Sequence, residues 1–277
     1  MIKSEYMLGC NYWDSASGTE MWKNWQPEVV EKDLEALEGC GVKHMRVFPL
    51  WRDFQPLRKL YNCRGGFGEY VVGENDEYLD DNPDAMNPVM LERFRTFTEM
   101  AKDHGMTLTV SIVTGWMSGR LFAPPALEGK NLITDPEALM WTEKYVRAIV
   151  RSFRDCDNIV MWDLGNECNC LGNAPTRAAA YLWTATVRNA ILSEDKTRPI
   201  SSGMHALVSD PDGVWQLCDQ GVLCDFVTTH PYPSPTIKGD IEPYTGLRTT
   251  LLTTAQSEYY SGIAGVPCMI QESGTFS

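Results

Sequence analysis

Seven apolar runs of β-type residues alternate with helical stretches along this chain, and this alternation is the feature that most restricts its fold. Runs of this kind, separated by helices, predict parallel strands joined by right-handed crossovers, so the predicted fold class is α/β. The runs span residues 5–13, 42–50, 106–116, 158–167, 198–207, 224–233 and 266–273.

Two α/β architectures compete for this pattern. A doubly wound sheet usually carries a Gly-rich phosphate loop after its first strand, and the segment GCNYWDSASG is not such a loop. A (β/α)8 TIM barrel gathers the carboxyl ends of all its strands in one mouth, where residues capable of chemistry follow almost every run here. We therefore predict the barrel. The strand-end residues are Asn11, Arg46, Trp116, Glu167, His205, His230, Tyr232 and Glu272.

The length of the chain fits a single barrel domain over residues 1–277, since such barrels take about 250 residues. An eighth strand and helix do not fit after the seventh run. We expect either that the sequence is part of a longer protein or that the barrel closes in an unusual way. The long polar segment Arg52–Met86 follows the second run and is predicted to be a βα-loop insertion that shapes the cleft.

The composition restricts the partners. A net charge of −13 argues against nucleic acids and anionic membranes, because both need clustered Lys and Arg. No apolar run approaches the roughly 20 residues of a membrane span. The first 13 residues lack the apolar region and cleavage site of a signal peptide. We expect a cytoplasmic protein, or a secreted one if a leader was removed, and its oligomeric state stays open.

The nine cysteines form no recognisable framework, and we predict that they are reduced. Cys10, Cys40 and Cys268 lie in apolar strands or helices and are predicted to be buried. Cys168 and Cys170 directly follow Glu167, but no second Cys pair or nearby His in the sequence completes a zinc site. We predict no metal at this pair.

Two of the runs end in a carboxylate. The segment IVMWDLGNE ends at Glu167, and PCMIQESG contains Glu272. Burial at the end of a strand disfavours a charged carboxylate unless partners compensate. Two such carboxylates across a cleft are what retaining glycoside hydrolysis needs, one as acid/base and one as nucleophile. The alternative is a pair of structural, ion-paired carboxylates.

Four motifs, in strand order, resemble those of clan GH-A, the (β/α)8 retaining glycoside hydrolases. WDLGNE at 162–167 is similar to the fourth-strand acid/base motif, and IQESG at 270–274 to the seventh-strand nucleophile motif. HPY at 230–232 matches the sixth-strand His-x-Tyr, and Arg46 matches the second-strand Arg. The chain looks most similar to family 5, the cellulase and mannanase family. Members usually carry a His near the end of strand three, where this chain reads SIVTGW.

This chemistry assigns a role to each group. Glu167 protonates the leaving oxygen and then activates water, which calls for a raised pKa. Glu272 attacks the anomeric carbon and stays ionised beside Arg46 and the Tyr232 hydroxyl. Asn166 is expected to bind the sugar 2-hydroxyl. Asn166 and Glu167 would point to opposite faces of a regular strand, so a bulge or turn is expected there.

The other candidates support the substrate or the carboxylates. His230 and Tyr232 lie two residues apart and therefore share one face of their strand. The tryptophans that follow strands one to three either stack on sugar rings or cap the core. The histidines and Arg46 also have structural alternatives, as packed or charge-balancing groups. The supporting candidates are Asn11, Trp13, Trp51, Trp116, His205 and His230.

The sequence therefore predicts a retaining glycoside hydrolase that cleaves β-linked neutral sugars, with no metal or organic cofactor. One alternative is a non-catalytic carbohydrate-binding barrel derived from such an enzyme. A second is a metal- or lyase-type barrel, which needs a cluster of His, Asp or Glu ligands. The four histidines show no metal-binding spacing, so we expect no such cluster.

Overall fold

The computed structural model describes residues 8–205, 207, 212–232 and 246–274. The strands are β1 (Gly9–Asn11), β2 (His44–Val47), β3 (Leu57–Tyr61), β4 (Phe67–Val72), β5 (Glu77–Tyr78), β6 (Thr107–Val113), β7 (Trp116–Met117), β8 (Arg120–Leu121), β9 (Ile159–Gly165), β10 (Ile200–Ser201), β11 (Val227–Thr229) and β12 (Cys268–Ile270). The helices are α1 (Pro27–Gly39), α2 (Trp51–Phe54), α3 (Pro88–Asp103), α4 (Pro136–Phe153), α5 (Arg177–Glu194), α6 (Leu217–Leu223) and α7 (Leu247–Ala264).

The seven predicted runs all contain a parallel strand, in chain order. β1, β2, β6, β9 and β10 pair side by side in one parallel sheet. β11 pairs in parallel with β12, and a bridge between Ser201 and Phe226 joins the end of β10 to the segment that leads into β11. Helices connect the successive strands, as expected for a βα-barrel. The predicted α/β barrel class is confirmed.

The barrel wall is open at one place. Among the residues that the structure describes, β12 pairs with β11 alone, and β1 pairs with β2 alone. Asn11, Arg46 and Gln271 line a cavity between these two strands. The wall accordingly holds seven parallel strands, and the carboxyl ends of all seven face one side.

The helices begin where the sequence provides a cap. The Asn87 side chain accepts hydrogen bonds from the backbone N–H groups of Val89 and Met90, with Pro88 in the first turn of α3. Asp135 caps α4 in the same way, again before a proline. In both helices the cap directly precedes a proline, an arrangement typical of a helix start. The caps set the helix starts, so each apolar face packs on the sheet.

Aromatic side chains form much of the core between the sheet and α3. Trp22, Phe54, Phe94 and Phe97 are almost fully buried, and their rings pack edge-on or tilted against one another. Edge-to-face pairs of this type add to the free energy gained by burial. These side chains belong to the main hydrophobic core of the barrel.

The predicted insertion after β2 is a folded unit rather than an extended loop. It begins with the short helix α2 and continues as an antiparallel sheet of β3, β4 and β5. Leu57 and Val72 pack in the main core. The expectation that this segment shapes the substrate cleft stays a prediction.

Every cysteine of the chain is a free thiol. The prediction that Cys40 is buried is wrong, because Cys40 follows the exposed end of α1. Cys10 and Cys268 are half-buried. Within the described part of the chain, no helix has both the length and the apolar character to cross a membrane.

Candidate active site

The carboxyl ends of β9, β11 and β12 bring the two predicted glutamates together around one histidine. His230 Nδ1 lies 3.0 Å from Glu167 Oε1 and 3.7 Å from Glu272 Oε1. These contacts hold the two oxygens within about 7 Å of each other, a spacing compatible with the roughly 5–5.5 Å between carboxyl groups in retaining glycosidases. The His230 side chain is fully buried between them.

A sharp turn aims Glu167 into this site. Its backbone has φ 47° and ψ 49°, the left-handed conformation, directly after β9. This turn resolves the conflict between Asn166 and Glu167 that a regular strand would create. Next to it, a Cβ on Gly203 would lie 2.1 Å from the Gly165 carbonyl oxygen, so only glycine allows the ends of β9 and β10 to approach this closely.

Glu272 is held by a permanent cation and a hydroxyl. An Arg46 guanidinium N–H donates to Oε1 at 2.9 Å, and the Tyr232 hydroxyl donates to Oε2 at 2.7 Å. Burial alone raises the pKa of Glu272, but the charges of His230 and Arg46 and the Tyr232 hydrogen bond outweigh it and lower the pKa. The sequence-based roles of Arg46 and Tyr232 agree with these contacts.

Asp163, within the WDLGNE motif, supports Arg46 from below the two glutamates. It is fully buried and accepts hydrogen bonds from Arg46 Nε at 3.2 Å and NH2 at 3.0 Å. The hydroxyls of Ser111 and Ser201 donate to the same carboxylate. Asp163 thereby aligns the guanidinium that contacts Glu272. The signal for it was a carboxylate in the middle of a buried strand, which needs a partner.

Glu167 is held by an indole and two imidazoles. Trp116 Nε1 donates to Glu167 Oε2 at 3.0 Å. His205 Nδ1 lies 2.8 Å from Glu167 Oε1, close to the His230 nitrogen that contacts the same oxygen. The sequence analysis placed His205 and Trp116 at the barrel mouth. The structure adds that both touch the predicted acid/base.

The predicted rise of the Glu167 pKa is wrong for this structure. Burial does raise it, but contacts with His205 and His230 and their charges lower the pKa well below its usual range. The contact with Glu167 in turn raises the pKa of His205. The contact between Glu167 and His205 thereby favours a negative carboxylate beside a positive imidazole.

The remaining candidates are Asn166, Trp13 and Asn11. Asn166 Nδ2 donates to the Trp116 carbonyl, and its buried Oδ1 has no protein partner among the described residues. This oxygen can accept a hydrogen bond from a ligand hydroxyl. Trp13 is half-buried and stacks on Phe48, with ring centroids 5.2 Å apart. Asn11 is exposed and lines the cavity beside Arg46.

Trp51 belongs to the core and not to a sugar platform. It is fully buried, stacks on Tyr145 and donates from Nε1 to Gln55 Oε1 at 2.8 Å. Of the three tryptophans considered from the sequence, only Trp13 and Trp116 remain candidates for sugar contact.

The expectation that no His and Glu ligands cluster is also wrong. One oxygen of Glu167 and one nitrogen each of His205 and His230 all lie within 4.8 Å of one another. The spacing along the chain concealed this group, because its three members come from the ends of three different strands. These residues have the donor types that hold a transition-metal ion.

The chain is similar to known β-mannan-degrading enzymes. Over 129 residues, 44% of the chain, it is 29% identical to mannan endo-1,4-beta-mannosidase F of Aspergillus clavatus, covering 29% of that protein. The solved exo-beta-1,4-mannosidase Op5Man5 from Opitutaceae bacterium strain TAV5 is 25% identical and superposes with a TM-score of 0.79, covering 98% of this chain and 46% of the other. The resemblance to clan GH-A and its family 5 is confirmed.

A second family 5 structure supports the fold. A variant of GH5_18 from Streptomyces cattleya, solved in complex with Manb1-4GlcNAc, has a TM-score of 0.79 at 20% identity and covers 94% of this chain and 59% of the other. No protein-family profile matches the sequence. The chain spans less than a third of the fungal mannosidase and less than half of the Opitutaceae exo-beta-1,4-mannosidase.

Proposed function

We propose that this chain carries the catalytic centre of a retaining glycoside hydrolase that cleaves β-linked mannosides by double displacement. The observation that carries the proposal is the pair Glu167 and Glu272, which face one another across His230 and have different partners. The spacing of the two carboxylates is compatible with direct attack by one of them.

In the first step, a Glu272 oxygen attacks the anomeric carbon as the bond to the leaving oxygen breaks. Glu167 donates a proton to that oxygen, and a covalent glycosyl ester forms on Glu272. In the second step, Glu167 removes a proton from water, and the water oxygen attacks the anomeric carbon. The ester bond breaks and returns the Glu272 carboxylate.

The surrounding residues support these roles. Arg46 keeps Glu272 anionic and ready to attack, and Asp163 holds the guanidinium in place. Asn166 Oδ1 is buried and has no described protein partner, so it can accept a hydrogen bond from the sugar 2-hydroxyl. Such an interaction strengthens in the transition state and lowers the barrier.

Mannose is the proposed sugar because the relatives point to it. The fungal relative is a mannan endo-1,4-beta-mannosidase, and the Opitutaceae neighbour is an exo-beta-1,4-mannosidase. The residue types at the site are consistent with any neutral β-linked sugar. Among β-mannosides, β-glucosides and β-galactosides, the relatives therefore favour β-mannosides as the substrate.

The test compares 4-nitrophenyl β-D-mannoside with its gluco and galacto counterparts and follows the product by proton NMR. We expect the mannoside to be hydrolysed fastest and the β-anomer of mannose to appear first. Early release of the α-anomer would exclude retention. Binding of manno-oligosaccharides without hydrolysis of any glycoside would favour the non-catalytic barrel.

A further inference from the structure

We propose that Glu167, His205 and His230 form a binding site for a divalent transition-metal ion of the Zn²⁺ type. The ion would lie between the Glu167 carboxylate and the two imidazoles. This inference goes beyond the proposed function, because binding of an ion here requires no hydrolytic activity.

The first argument is the spacing of the ligand atoms. Glu167 Oε1 lies 2.8 Å from His205 Nδ1 and 3.0 Å from His230 Nδ1. One ligand atom from each of the three residues lies within 4.8 Å of the other two. Zinc bonds of about 2.0–2.2 Å in tetrahedral geometry require ligand atoms roughly 3.3 Å apart. Small side-chain shifts therefore suffice to accommodate the ion.

The second argument comes from the orientation of His230. Ser201 Oγ donates to Asp163, so it accepts from the Gln271 amide nitrogen, which lies 3.3 Å away. The Gln271 oxygen then faces His230 Nε2, at 3.3 Å, and Nε2 must carry the hydrogen.

This tautomer leaves a lone pair on His230 Nδ1, pointed at the Glu167 carboxylate oxygen. Two lone pairs at 3.0 Å repel each other unless a cation lies between or beside them. A proton satisfies this requirement, and so does a metal ion. The hydrogen bond from Nε2 to an amide oxygen is also the arrangement that orients metal-bound histidines.

The neighbours leave these ligand atoms available. Trp116 occupies the other Glu167 oxygen, Oε2, and thereby holds the carboxylate with Oε1 toward the histidines. His205 Nδ1 is buried and makes no contact with hydrogen-bond geometry in the described part of the chain. Its ring is partly exposed, so an ion can enter from the mouth and keep a fourth position for water or a sugar hydroxyl.

The chemistry of the donors selects the class of ion. Two imidazole nitrogens and one carboxylate oxygen suit Zn²⁺ and neighbouring divalent ions such as Ni²⁺ and Cu²⁺. Mg²⁺ and Ca²⁺ prefer sites made of oxygen atoms. An ion bound here occupies the atom that protonates the leaving group, so it acts as a reversible inhibitor that a chelator removes.

Isothermal titration calorimetry of the chelator-treated protein with ZnCl₂ tests the site directly. We expect one ion per chain, and we expect His205→Ala and Glu167→Gln each to weaken binding by about tenfold or more. His104→Ala is the matched control. His104 contacts Glu31 and Glu38 through opposite ring nitrogens and cannot direct both toward one ion, so binding should not change.

Two results would overturn the proposal. One is binding as tight as in the wild type in both His205→Ala and Glu167→Gln. The other is a thiolate charge-transfer band when Co²⁺ replaces Zn²⁺, which would assign the ion to cysteines. Circular dichroism verifies that each variant folds. If His205→Ala does not fold, the result for Glu167→Gln, which conserves the shape of the side chain, decides the test. Calorimetry needs no hydrolysis, so its failure is separable from failure of the proposed glycosidase activity.

Discussion

Glu167 and Glu272 lie side by side at the same barrel mouth, yet their carboxylates have different kinds of partner. Glu272 contacts the guanidinium of Arg46 and the hydroxyl of Tyr232. Glu167 contacts two imidazoles, of His205 and His230, and the Trp116 indole. The two surroundings resemble each other in burial and differ in whether the positive charge is permanent.

That difference supports the proposed chemical roles. A guanidinium stays charged at every working pH, so Glu272 remains an anion and suits attack on carbon. Imidazoles gain and lose protons near neutral pH, so Glu167 sits in a region where protons move easily. The low pKa of Glu167 without substrate reflects those imidazoles.

The largest effect is expected for Glu272→Ala, and the product formed with azide tells the two carboxylates apart. We expect Glu272→Ala to lower kcat/KM for an aryl β-mannoside by about 10⁵-fold or more, because the attacking group is gone. Added azide fills the space left by the side chain and attacks from that face. NMR should identify the α-mannosyl azide, and recovery of the β-azide would reverse the assignment of the two glutamates.

Glu167→Ala should give the opposite pattern. We expect loss of about 10²–10⁴-fold on a substrate with a poor leaving group, because protonation of the leaving oxygen is lost. A dinitrophenyl mannoside should be much less affected in its first step, and azide should yield the β-mannosyl azide. Equal losses on both substrates would contradict an acid role.

Arg46→Met should affect stability as well as rate. It leaves the buried Asp163 carboxylate without its cation, which costs about 3–5 kcal/mol of the free energy of unfolding. Loss of the contact with Glu272 should lower kcat by about 10²-fold. Urea denaturation and initial rates measure the two effects.

The control for that experiment is Arg58→Met. Arg58 forms an ion pair with Asp76 in which both side chains are over 40% exposed, so the stability should change by less than about 1 kcal/mol. A similar loss of stability in both variants would show that the buried pair has no special role.

Tyr232→Phe gives the smallest expected effect, and it distinguishes the two carboxylates by the pH dependence of activity. The Tyr232 hydrogen bond helps lower the pKa of Glu272, so its removal raises that pKa. Glu272 then binds a proton at a higher pH, and the acid limb of the kcat/KM profile should move to higher pH. Trp116→Phe, which changes a contact of Glu167 instead, should leave that limb in place.

Local sequence patterns were sufficient for several parts of this molecule. Each of the seven parallel strands lies within its predicted run, and Asn87 and Asp135 cap the predicted helices. The two glutamates and Arg46 were also identified from their positions at strand ends. These features depend on residues a few positions apart, where periodicity and capping act.

Other features depend on contacts that no local pattern contains. Arg46 and Glu272 are 226 positions apart, and Asp163 reaches Arg46 only because β2, β6 and β9 are neighbours in register. The antiparallel sheet of the insertion and the left-handed turn at Glu167 likewise appear only in the folded chain.

The sequence by itself determined the order of strands and helices and the two carboxylates that belong at the barrel mouth. Only the tertiary structure decided which donors surround each carboxylate and that His205 and His230 meet at Glu167. The physical reason is that strand formation follows from short-range patterns of burial, whereas the distance between strand ends follows from register, twist and the close approach that Gly203 permits.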